Sequence, residues 1–128
     1  MPDPITAVLL AFVMLAVKHT IADYFLQTPY QFLNKGSYGH PGGILHASIH
    51  GLLTLPVFLI LAPSSPALAS AIIVGEFVVH YHLDWSKEQL IERYDLTQKD
   101  PWFWHLFGLD QLAHIVTYVA IIAILIML

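Results

Sequence analysis

Four stretches of this chain are so long and so apolar that they decide what it can fold into. A bilayer's hydrocarbon core is about 30 Å thick and takes around 20 mainly apolar residues per helix. Residues 4–26, 43–61, 67–83 and 102–128 read as four such spans, the third the shortest. Composition agrees: 57% of residues are hydrophobic, only 11% are charged, and the mean hydropathy is +0.67. A soluble domain carries about 25% charged residues, so this chain lacks the polar surface to face water all round. The expected fold is all-α, a four-helix transmembrane bundle forming a single integral membrane domain over residues 1–128.

Pro63, Ser64, Ser65 and Pro66 make a tight turn between the second and third spans, where helix cannot continue. Asn34 to Gly39 and Pro41-Gly42-Gly43 are expected to form the loop between the first and second. Residues 85–100 are the only strongly charged stretch. Trp85, Leu90, Ile91 and Tyr94 are spaced for a short amphipathic helix in the interface before the fourth span, with a solvated loop as the alternative. Trp102 and Trp104 suit the aromatic belt. Residues 5–17 have no basic residue ahead of them and no small-x-small site before Asp23, so a retained helix is expected rather than a cleaved signal.

The basic residues orient the bundle. Lys35 lies in the first loop, Lys87, Arg93 and Lys99 lie in or beside the third, and Lys18 can snorkel to the same side. The N-terminus, the Pro63–Pro66 turn and the C-terminus carry none. The positive-inside rule then puts both long loops in the cytoplasm and both termini outside. A net charge of −4 with five basic residues argues against a nucleic-acid partner. The absence of cysteine removes disulfides, iron–sulfur clusters and thiolate sites, leaving nitrogen and oxygen to hold any metal.

Ionisable side chains inside a membrane are costly and are functional candidates by default. Here they recur in all four spans at one spacing. The first carries His19 and Asp23, with Gln27 a step further; the second, His46 and His50. The third carries His80 and Asp84, preceded by Glu76; the fourth, Asp110 and His114. Residues i and i+4 share a helix face, so each pair projects from one stripe. The topology also brings all four pairs to similar depth near the cytoplasmic side. Cut at the Pro63–Pro66 turn, each half is a hairpin beginning with His-x3-Asp, the pattern of two duplicated hairpins related by a pseudo-two-fold axis along the membrane normal, with coincidence as the alternative.

Imidazole with carboxylate suits a divalent transition metal such as zinc, iron or manganese, and inward-facing pairs at helical spacing build di-metal centres in four-helix bundles. His19, Asp23, His46, His50, His80, Asp84, Asp110 and His114 are the candidate ligands, for one or two ions. Asp23, Asp84 or Asp110 is a candidate general base if it is not a ligand. Gln27 and Gln111 are expected to support the site by hydrogen bonds. Glu76 is a candidate ligand, proton relay or partner for Lys18, and Lys87 can bind an anionic substrate group or pair with Asp84. His40 and His105 are expected at the interface, and His82 points away from the His80 face. A lone buried His–Asp pair is commonly just a helix–helix hydrogen bond; four pairs at matched depth favour a site.

At these residues the sequence resembles the bacterial membrane proteins of domain-of-unknown-function 3307. The likeness lies in His19-x3-Asp23-x2-Leu26-Gln27, Asn34-Lys35, His46-x3-His50, His80-x3-Asp84-x2-Lys87 and Asp110-Gln111-x2-His114. The resemblance implies the fold, the site and a bacterial inner-membrane location, and names no reaction. The leading functional expectation is a metal-dependent hydrolase acting on a lipid or polyprenyl-phosphate-type substrate. The alternatives are a haem-binding redox protein, with His50 and His114 as axial ligands, and a metal or proton transporter or accessory subunit drawing on Glu76. Membrane lipid is the expected partner, and a homo-oligomer or larger membrane complex stays open.

Overall fold

The computed structural model describes all of residues 1–128, and they form an all-helical bundle without strands. The α-helices are α1 (Pro4–Thr20), α2 (Pro29–Phe32), α3 (Pro41–Leu52), α4 (Pro66–Arg93) and α5 (Pro101–Met127). Each begins on a proline, whose fixed φ suits the first turn and whose missing N–H would have had no partner there. Asp3 caps α1, its Oδ1 accepting from the Ile5 and Thr6 amides at 3.1 and 3.0 Å. Bonds from the Thr6 hydroxyl and amide hold that carboxyl below its ordinary pKa. Ser65 caps α4 through its Oγ, which accepts from the Leu68 amide.

Four helical segments, Pro4–Phe25, Pro41–Leu59, Pro66–Arg93 and Pro101–Met127, are long and apolar enough to cross a membrane. The helices close into a ring: α3 packs on α4, α4 on α5 and α5 on α1, while the end of the first span meets α3. At the end holding the Pro63–Pro66 turn, Ala11, Leu15, Val57, Ile72, Tyr118, Ile121 and Ile122 form the apolar core. Burial is otherwise inverted relative to a soluble protein. Twelve of the 26 buried residues are polar or charged, while Leu9, Val13, Val17, Val74, Leu112, Val116 and Val119 face outward. Such a chain is stable only where its exterior meets hydrocarbon.

Three local departures from regular helix place the functional groups. The first span passes into a π-helical turn at Ile21–Phe25, closed by the Leu26 amide on the Ile21 carbonyl at 2.9 Å. Asp23 sits in this wider turn, a deviation that concentrates at functional sites. The second span is not one α-helix: Pro56 has no N–H for Leu52, so α3 ends and Leu55–Leu59 continue as 3-10 helix. There the Thr54 amide bonds the Gly51 carbonyl, which leaves the His50 carbonyl without its usual partner. Finally, the loop between α1 and α3 carries α2, a short helix the sequence pattern did not anticipate. Gly42 lets α2 lie against the start of α3, since a Cβ there would fall 2.1 Å from the Tyr30 carbonyl oxygen.

Two expectations need correction. The segment before the fourth span is not a separate interfacial helix: α4 runs unbroken to Arg93, and only residues 94–100 form a connection. No Gly or Pro interrupts residues 76–100, so nothing stops the helix from propagating through Glu88-Gln89-Leu90. At 28 residues α4 is about 42 Å long. That exceeds the hydrocarbon thickness, and the charged last turns extend past it. Lys18, in turn, does not snorkel. It is 5% exposed and pairs with Glu76 inside the bundle.

Candidate metal centre

Asp23 and Asp84, which end the two His-x3-Asp steps, stand on either side of His46. His46 Nε2 lies 3.2 Å from Asp23 Oδ1 and 3.4 Å from Asp84 Oδ2. Asp23 also meets His50 Nε2 at 2.8 Å and His19 Nε2 at 3.0 Å. Around Asp84 stand His80 Nε2 at 3.2 Å, His114 Nε2 at 3.3 Å and Lys35 Nζ at 3.2 Å. His114 Nε2 is also 3.3 Å from Asp110 Oδ1. The imidazoles of His50, His80 and His114 form a column, with centroids 3.7 and 4.2 Å apart. All eight predicted ligands therefore meet in one pocket drawn from all four spans.

Their roles divide. Ligand atoms of Asp23, His46, His50 and His80 lie within 4.8 Å of one another, as do those of His80, Asp84 and His114. The two groups share His80. His19 stands outside both, because each of its nitrogens is taken. Gln111 donates its amide to Asp110 Oδ2, so its Oε1 faces His19 Nε2 at 2.9 Å and requires a proton there. His19 Nδ1 then accepts from the Tyr118 hydroxyl at 2.6 Å. His19 thus holds Asp23 in place.

His46 is fixed by the same logic with the opposite outcome. Gln31 donates its amide to the Leu26 carbonyl at 3.1 Å, which turns its Oε1 toward His46 Nδ1 at 3.2 Å. Nδ1 carries a proton, and Nε2 is the nitrogen left to serve as a ligand, aimed between two carboxylates. Five atoms of the cluster, His46 Nε2, His50 Nδ1, His80 Nε2, Asp84 Oδ2 and Asp110 Oδ1, are buried with no hydrogen-bond partner, as is Gln27 Oε1 at its mouth. Several lie little more than 3 Å from a neighbour, yet the angles do not make bonds. Five unsatisfied polar atoms in one pocket would be a heavy penalty in a membrane interior. Nitrogen and carboxylate lone pairs at such range repel unless a proton or a metal cation stands between them, and the angles do not suit a proton. The donor set fits a divalent ion on this ground.

One turn deeper lies a second polar layer. Lys18 Nζ bonds Glu76 Oε1 and the His50 carbonyl, the latter at 2.8 Å, and the Thr54 hydroxyl donates to Glu76 Oε2 at 2.5 Å. Of the roles open to Glu76, the structure gives it Lys18 as partner. Lys87 pairs not with Asp84 but with Asp110, Nζ to Oδ2 3.6 Å, and with Glu88. Gln27 bonds only the Asp23 carbonyl, through its amide. His82 turns outward to Tyr38, His40 caps α3 at the Gly42 amide, and His105 is exposed beside Trp102. Periodic reading missed Gln31, Lys35, Thr54 and Tyr118. Thr54 and Tyr118 stand one four-residue step beyond His50 and His114, so extending each stripe would have found them. Outside the cluster, a cavity of about 560 Å³ at the α4–α5 connection is lined by Leu90, Tyr94, Leu96, Trp102 and Leu106 and offers no titratable carboxylate or imidazole.

A family model described as "Protein of unknown function (DUF3307)" matches residues 11–128. The chain belongs to that family. No curated protein matches it, and no solved structure does. The family model covers every residue of the cluster.

Proposed function

We propose that this DUF3307 chain is a membrane-embedded metal-dependent hydrolase acting on a lipid or polyprenyl-phosphate-type ester. The observation that carries the reading is the set of buried, unpartnered nitrogen and oxygen atoms converging from the second, third and fourth spans, with Asp23 of the first beside them. Asp23, His46, His50 and His80 would hold one ion, and His80, Asp84 and His114, with Asp110 beside them, would hold a second, with zinc, iron or manganese matching the donors. Ions so placed supply Lewis acidity and a nucleophile at neutral pH. Around them Gln31 sets the tautomer of His46, His19 orients Asp23, and whichever carboxylate oxygen stays free accepts a proton from the attacking water. The mouth of the pocket, between Asp23, Tyr24, Gln27, Asp84 and Gln111, lies at the end of the bundle bearing the basic loops. The positive-inside rule supports chemistry near the cytoplasmic face of a bacterial inner membrane, with both termini outside.

The haem alternative is weakened by His80. Its ring stands in the column between His50 and His114, whose centroids are 6.5 Å apart, where a porphyrin would have to lie. The transport alternative is weakened by Glu76, both of whose oxygens are engaged. The hydrolase reading is tested by incubating purified protein and each of zinc, iron(II) and manganese with phosphorylated and acylated lipids. Metal-dependent release of phosphate or acid, abolished by Asp23→Asn or Asp84→Asn, is expected. No turnover with any of these metals would remove the enzymatic reading.

A further inference from the structure

Two lysines stand at the pocket mouth. Lys35 and Lys87 are each only 8% exposed, and both line a cavity of about 80 Å³ together with Asp84 and Asp110. Lys35 Nζ lies 3.2 Å from Asp84 Oδ2; Lys87 Nζ lies 3.6 Å from Asp110 Oδ2 and 4.5 Å from the Phe107 ring centroid. Neither is there by accident of a loose loop. The Gly36 carbonyl accepts from Gln89 at 2.7 Å, and a Cβ at Gly36 would sit 3.0 Å from Glu92 Oε1, so the segment bearing Lys35 lies flat on α4. Both ammonium groups are anchored to carboxylates that the metal reading assigns to an ion.

Charge balance selects the ligand. Among the residues lining the mouth, Asp23, Asp84 and Asp110 against Lys35 and Lys87 leave one negative charge in excess; Lys18 is spent on Glu76, and Glu88, 3.7 Å from Lys87, stands outside the lining. Two divalent ions would convert that to three positive charges in a poorly solvated pocket, a cost relieved only by anions. A neutral ester brings none. A phosphate monoester dianion brings two, with oxygens enough to meet both ammonium groups and the ions at once, and lysine serves phosphate as a point charge. We propose that Lys35 and Lys87 are the phosphate-binding half of this site and select a phosphate monoester over a carboxylic ester. The inference rests on the metal-hydrolase reading above, because the lysines are released from Asp84 and Asp110 only when an ion takes those carboxylates.

The test measures metal content and phosphate binding separately on the full chain in detergent, with inorganic phosphate and a short-chain phosphatidic acid as probes. Wild-type protein loaded with metal is expected to bind both, and the Lys35→Gln/Lys87→Gln variant to keep its metal while losing roughly tenfold or more in affinity for each. Tighter binding of the lipid than of inorganic phosphate assigns the group to a headgroup; equal binding assigns it to a soluble phosphate, and either order supports the lysine site. A second measurement needs no variant: phosphate should slow acylation of Lys35 and Lys87, but not of Lys99, as read by mass spectrometry. Retained metal with lysine-independent phosphate binding, or equal acylation with and without phosphate, overturns this inference alone. A chain that takes up no metal brings down the reading beneath it as well.

Discussion

One helical turn separates the Lys18–Glu76–Thr54 layer from the imidazole–carboxylate cluster above it, and the two treat buried charge in opposite ways. In the deeper layer each oxygen of Glu76 has a donor, and Lys18 has both a carboxylate and a carbonyl. Even the His50 carbonyl, released where Pro56 breaks the second span, is used. In the upper cluster five polar atoms go without partners among residues that could have bonded one another. Both layers come from the same helices at similar burial, so the contrast does not arise from poor packing. The deeper layer is complete as it stands, whereas the upper one keeps open donor atoms, which the proposed ions would fill.

The largest effect that could break this comparison belongs to the deeper layer. Glu76→Ala leaves Lys18 buried without its counter-charge and should cost about 3–5 kcal/mol in unfolding measured in detergent. Lys18→Met/Glu76→Leu together should recover most of that loss. If the single replacement is harmless, the layer is not the closed ion pair described. Next comes the response of the upper cluster to metal. An ion at about a thousandfold above its dissociation constant should raise the unfolding free energy by about 4 kcal/mol. Calorimetric scans should show that gain vanish in His50→Ala and persist in Tyr118→Phe.

Smaller effects sharpen the division between ligands and the groups that aim them. Gln31→Leu frees the His46 ring to choose its tautomer and should weaken metal binding about ten- to a hundredfold by titration. An unchanged affinity would mean that Gln31 does not set the ring. Tyr118→Phe removes only the hydroxyl that meets His19 Nδ1 and should cost about 1 kcal/mol of stability. A loss of metal as large as that caused by His50→Ala would instead put His19 among the ligands.

Much of this arrangement could be read from the chain because two periodicities carry it. Apolar runs of bilayer length delivered the four spans, and a four-residue step placed His19 with Asp23, His46 with His50, His80 with Asp84 and Asp110 with His114. What escaped lies where periodicity stops. Gln31 and Lys35 come from the connection between α1 and α3, whose path depends on the close approach at Gly42 and on contacts with α4. Lys18 was read by its length, as a side chain that reaches water. Its burial depends on Glu76, 58 residues away, a pairing that no local pattern encodes. The break at Pro56 was visible, but its consequence, a freed carbonyl at His50, required the fold.

The number of metal ions carried by each chain is the most direct measure of whether the upper cluster is built around cations. Elemental analysis of protein purified without chelator should find transition metal approaching two ions per chain, falling sharply in each of His46→Ala, His50→Ala and His114→Ala. Metal absent from the wild type after reconstitution, or present at the same level in all three variants, would contradict the account.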